Sequence, residues 1–143
     1  MKVKEIVSKF GFAETVELLE RSVDENGLKV ISIIDAQANL KKIGVEIKGN
    51  KILEVFNPKL AREVFDNDLR AGIIPPLRIY IYVESDKTHV AIQSAVELFS
   101  QYNGMEELAG RVDKMLDSVI NSVKWHIILE QETGKINPKT SFN

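Results

Sequence analysis

The chain has 143 residues, no cysteine, two histidines, 28% charged residues and a formal net charge of −2. Those figures exclude disulfides, thiolate zinc sites and a cysteine nucleophile, argue against a histidine-rich metal site, and give no basic excess to neutralise nucleic-acid phosphates. The length suits one domain with a sizeable core, and no run reaches the roughly 20 apolar residues that span a bilayer.

Residues 2 to 9 alternate Val3, Glu5 and Val7 against Lys4, Ile6 and Ser8, the period of a strand. The start, Met1 to Val7, has too short an apolar core and too early an acid for a signal peptide, so a cytoplasmic protein is expected. Phe12, Val16, Leu19 and Val23 then form one apolar stripe of a helix whose other face carries Glu14, Glu17, Glu20 and Asp24. That acidic row reads as a solvated face. Asn26-Gly27 stops the helix, because glycine takes the left-handed conformation at a helix end.

Leu28 to Ile34 is rich in β-branched residues and predicts a strand. Residues 36 to 43 predict a short helical turn. Gly49-Asn50 predicts a tight hairpin between 45–48 and 51–56, with Ile47 opposite Ile52 and Val45 opposite Glu54. Asn57-Pro58 is a helix cap followed by proline at the first helical position, with Leu60, Val64 and Phe65 at helical spacing behind it. Gly72 and Pro75-Pro76 then return the chain to extended backbone.

A last hairpin turning at Asp86-Lys87 would set Val83 against Val90 and Ile81 against Ile92, leaving one face apolar in both strands. The other face would carry Arg78, Tyr80, Tyr82 and Glu84 beside His89, Ala91 and Gln93. Ser94 with Glu97, and Asn103 with Glu106, have the spacing of capping boxes. The apolar stripe from Met105 to Val123 predicts a long helix, continued through Ile127 to about Glu132. The domain is expected to span 1–133, with 134–143 a loose tail.

The resulting order is strand, helix, four strands with a short helix inserted before the last pair, then a long helix. Helices on one face of an antiparallel sheet make an α+β layer. The chain also resembles a known family, in Thr15-Val16-Glu17-Leu18-Leu19, Glu25-Asn26-Gly27-Leu28, Gly44 to Ile47, Leu53 to Lys59, Asp68 to Gly72 and Pro75 to Tyr82. These segments, within residues 10 to 95, resemble the bacterial and archaeal domain-of-unknown-function family 302. It departs from that pattern at Asp35-Ala36, where members often carry Asp-His. The resemblance implies a TATA-binding-protein-like layer and a homodimer; it implies no activity, and architecture alone is no argument for DNA binding.

Each candidate site residue has a plainer reading beside the functional one. Asn57 lining a site is weighed against a helix cap that fully explains it. Arg70 offers a bidentate fork to a carboxylate or phosphate, yet Asp66 and Asp68 supply a surface ion pair. His89 as a base held by Glu84 is weighed against an exposed cross-strand pair, and His126 beside Trp125 reads as packing. Gly11-Phe12, Met105 and Met115 are candidates to line a cavity between long helix and sheet, or simple core filling. Arg78, Tyr80 and Tyr82 suit a ligand or partner surface, since a tyrosine offers apolar area with a polar tip.

There is no phosphate-binding glycine loop, nucleophile elbow, zinc spacing or paired-carboxylate signature, so neither metal nor cofactor is expected. The favoured reading is a non-catalytic, homodimeric module binding a small molecule or a protein, with no membrane partner and nucleic acid disfavoured. Its rival is a small-molecule enzyme in which Arg70 and His89, or Glu84, converge in one pocket.

Overall fold

The computed structural model of the protein describes residues 2–125. Five strands, β1 (Val3–Val7), β2 (Lys29–Asp35), β3 (Asn50–Phe56), β4 (Leu77–Glu84) and β5 (Lys87–Gln93), form one antiparallel sheet in the order β1-β5-β4-β3-β2. Helices α1 (Phe12–Glu25), α2 (Ala36–Lys41), α3 (Pro58–Asn67), α4 (Ala95–Leu98) and α5 (Glu106–Asn121) complete it, with a 3-10 turn at Leu69–Ile73. The α+β class is the one the sequence predicts, and the expected strand-helix-four-strand-helix order holds with β2 to β5 as the four strands, the separate strand read at 45–48 being absent. Among the described residues no helix is long and apolar enough to cross a membrane.

Local chemistry explains most element ends. After α1, Gly27 adopts φ +85°, so that its own N–H reaches the Asp24 carbonyl and the Leu28 N–H reaches that of Val23 at 2.9 Å. This pair of bonds satisfies carbonyls that the helix leaves open, and it drops Leu28 fully into the core. Asn57 caps α3, its Oδ1 accepting from the Leu60 N–H at 2.7 Å. Ser94 caps α4 for the Glu97 N–H, and the Asp113 carboxylate accepts from the Ala95 and Val96 N–H groups as well.

The core lies between the sheet and the layer of α1, α3 and α5. Leu19 and Val23 from α1, Val64 from α3 and Leu116 and Ile120 from α5 meet Leu53, Ile79, Ile81 and Val90 of the sheet, all essentially without solvent exposure. Each such side chain contributes about 1.5–3 kcal/mol by leaving water. Met105 and Met115 pack with this cluster, which is the simple core filling weighed from the sequence.

Four expectations need correction. Residues 45–48 form no strand; β3 pairs instead with β2, with Ile34 opposite Ile52 and Ser32 opposite Glu54. The reason is that Gly49 does not turn a hairpin. It lies beneath the Phe12 ring, where an added Cβ would stand 2.6 Å from the ring carbons, and Asn50 is already a strand residue paired with Tyr82. The final hairpin turns at Ser85 and Asp86, both with positive φ (53° and 61°), so Ile81 faces Val90 and Ile79 faces Ile92. Two consecutive left-handed residues match the twist of the strands they join.

The third correction concerns the long helix, which ends at Asn121 and not near Glu132. Val123 to Trp125 double back along the outer edge of β1, with Lys9 N–H donating to the Val123 carbonyl (3.0 Å) and Trp125 N–H to that of Val7 (2.8 Å). An edge strand offers unpaired backbone groups that such a return satisfies. Nor does Asn103 cap α5: the cap position is Met105, and the Asn103 carbonyl accepts from the Asn67 side chain. His126, the continuation to Glu132 and the tail 134–143 lie outside the described residues.

Candidate functional site

Because side chains alternate along a strand, sealing Ile79 and Ile81 under the helices turns Arg78, Tyr80 and Tyr82 to the opposite face of the sheet. Among the described residues no helix covers that face. Ile34, Ile52, Tyr80, Ala91 and Glu5 follow one another across the five strands, with Asn50, Tyr82 and His89 in the row on one side and Ser32, Glu54 and Arg78 on the other.

The centre of the face is an ordered stack. The Tyr80 and Tyr82 rings lie 4.9 Å apart at 21°, and Tyr82 lies 4.9 Å from the His89 imidazole at 14°. Glu5 fixes one end, its Oε2 accepting from the Tyr82 hydroxyl at 2.8 Å and facing His89 Nδ1 at 3.1 Å. At the other end Asn50 Nδ2 donates to the Tyr80 hydroxyl at 2.8 Å. Burial, with the Glu5 hydrogen bond and charge behind it, pushes the Tyr82 phenol up to about 12. It is therefore a proton-holding donor at neutral pH and no base.

The sequence pointed to the aromatic residues but misassigned what holds them. The expected partner of His89 was Glu84, whereas Glu84 pairs with Lys87 and the carboxylate at His89 is that of Glu5, 84 residues away. Alternation at residues 2 to 9 set Glu5 with Val3 and Val7; that β1 borders β5 was not readable from it. Asn50 and Ile52 were missed as surface residues because Gly49-Asn50 read as a turn.

Arg70 and Asn57 do not join this face. Arg70 Nε and Nη2 grip both Asp68 oxygens at 3.1 and 3.0 Å, which holds that carboxyl below its ordinary range and raises the guanidinium. The preceding helix, α3, belongs to the helix layer, tied to α5 by Glu63 and Arg111. Asn57 uses Oδ1 as the cap and Nδ2 on the Gly27 carbonyl. Arg70 and His89 thus lie on opposite sides of the sheet.

Three concavities matter. One of about 460 Å³ between β1, β5 and α5 has its carboxylates already engaged, Asp113 on the start of α4 and Asp117 with Lys4. A second, about 390 Å³ between α3 and α5, is lined by Glu63, Asp66 and Glu107, of which Glu63 and Glu107 hold Arg111 and Asp66 holds Arg62. The third, about 320 Å³, lies on the open face over Val3, Ile52, Arg78, Tyr80 and Ala91. Among the described residues no group of three His, Cys, Asp or Glu is placed to hold a metal ion.

A family model described as "Domain of unknown function DUF302" matches residues 4–123. The chain belongs to the DUF302 family. A solved structure, the uncharacterized conserved DUF302 protein from Bacillus stearothermophilus, superposes with a TM-score of 0.80 at 24% identity, covering 87% of this chain and 99% of that one. At that identity the likeness establishes the shared fold. No curated protein matches the sequence. For this DUF302 chain, then, function has to be argued from its own side chains.

Proposed function

We propose that this DUF302 protein is a cytoplasmic, non-catalytic binding module that takes a small ligand on the open face of its sheet and works as a homodimer. The observation that carries this reading is the Tyr80–Tyr82–His89 stack, held by Glu5 and Asn50 on a face that no helix among the described residues covers. Half-buried aromatic rings that are already fixed lose little entropy when something binds them, which is what a recognition surface needs. The enzyme alternative needs Arg70 with His89, or Glu84, in one pocket, whereas Arg70 is paired with Asp68 beside the helix layer and His89 and Glu84 belong to the β4–β5 hairpin. Nor does a phenol that holds its proton to about pH 12 suit a general base.

Self-association is supported by a different feature, the edge of β2, which has a strand partner on one side only among the described residues. Ile31, Ile33 and Ile34 are 58%, 45% and 37% exposed there, and β2 begins at Lys29 and ends at Asp35. Two copies meeting antiparallel along this edge bring unlike charges together at both ends and remove exposed isoleucine from water. Sedimentation equilibrium should give a dimer mass, with Ile33→Lys monomeric at the same concentration. A monomer across the accessible range removes the dimer from the proposal. For the ligand, a fragment screen read by amide chemical shifts should move Tyr80, Tyr82 and His89 first; shifts confined to the helix layer count against the open face.

A further inference from the structure

We infer that the open-face hollow beside Tyr80 is a site for a small planar aromatic monocarboxylate, its ring lying along Tyr80 and Ile52 and its carboxylate on Arg78. This deepens, and rests on, the reading of the open face as the binding surface. Tyr82 covers one face of the Tyr80 ring, and the hollow lies on the other side of Tyr80, toward Arg78. Val3, Ile52 and Ala91 give it apolar walls, and about 320 Å³ is at the small end of ligand pockets, room for a single-ring compound.

The charge comes from Arg78. Its guanidinium makes no hydrogen bond within the described residues; its nearest acid is Glu54, with Oε2 3.7 Å from Nε. Glu54 is itself fixed by the Ser32 hydroxyl at 2.6 Å, so it orients the guanidinium without occupying the fork. A planar fork with open donors, beside a flat apolar wall, matches a carboxylate attached to a ring. The same Glu54 selects against a dianion, because a phosphate on Arg78 would carry its second charge close to this carboxylate.

The other two hollows lack this combination, since among the described residues neither an aromatic ring nor an arginine lines them. Of these three hollows of the described residues, the one over Tyr80 joins an aromatic wall to a guanidinium with open donors.

The test is a titration of the full chain with benzoate, benzamide and phenyl phosphate, read by amide chemical shifts. Benzoate is expected to move Ile52, Tyr80 and Ala91 and to bind roughly ten-fold tighter than its neutral isostere benzamide, the weight of one charge-assisted pair. Arg78→Gln should erase that preference while leaving the unfolding midpoint unchanged, and Arg78→Lys should restore part of it. Benzamide binding equally well at these residues, or phenyl phosphate binding more tightly than benzoate, overturns the carboxylate assignment and leaves the open-face reading standing. If none of the three probes moves these residues, both fall.

Discussion

Ile79 and Tyr80 are neighbours in β4, yet they belong to two different kinds of surface. Ile79 is fully buried among aliphatic side chains of the helix layer, held by contacts that have no direction. Tyr80, half-buried on the far face, is held by one hydrogen bond from Asn50 and one stacked ring. The covered face derives its order from exclusion of water; the open face derives it from directional bonds between neighbouring strands. Groups ordered while only half-buried remain available to a ligand, so the contrast separates the part of the sheet that stabilises the fold from the part proposed to meet other molecules.

The contrast is tested hardest by cutting into the covered face. Ile79→Ala should cost about 2–5 kcal/mol in denaturant unfolding, as for large-to-small changes in a tight core. Arg78→Gln, one residue away, should leave stability nearly untouched. If the two cost the same, the faces do not differ as described.

Gly49→Ala comes next. Its methyl would sit 2.6 Å from the Phe12 ring, so the ring must move, with an expected loss of about 1–3 kcal/mol. No loss would mean that the loop before β3 is not pinned beneath α1. Asn57→Ala should cost about 1 kcal/mol through the lost cap and leave benzoate binding unchanged, separating a structural residue from the open-face set. A change in binding would bring Asn57 back among the site residues.

The Tyr82 phenol sharpens the comparison through pH. Of the three tyrosines, this one should ionise near 12, seen as a delayed phenolate absorbance, while its unfolded value is about 10. Since the folded value is the higher, its contribution to stability is complete below pH 10 and lost as pH rises through 12. Glu5→Gln should bring the midpoint down only in part, because burial is the larger cause. A midpoint at the ordinary value would mean that the stack is open to solvent. The smallest effect belongs to the fully solvated surface: Lys29→Ala breaks the exposed pair with Asp24 and should change monomer stability by less than about 0.5 kcal/mol.

What the sequence determined by itself was whatever depends on neighbours along the chain. The alternation from Leu77 to Val83 assigned each side chain to a face, Asn57-Pro58 and Ser94 announced their helices, and Gly27 ended the first one. Even the misplaced hairpin turn kept the faces right, because the pairing slipped by two positions and the pleat repeats every two. Tertiary structure decided which strands lie side by side: β1 against β5, which brings Glu5 to His89 and Tyr82, and β2 against β3, which displaced the expected 45–48 hairpin. Periodicity is a property of a few consecutive residues, whereas strand order is settled by packing the whole apolar face under α1, α3 and α5 at once. A partner more than eighty residues away leaves no local mark.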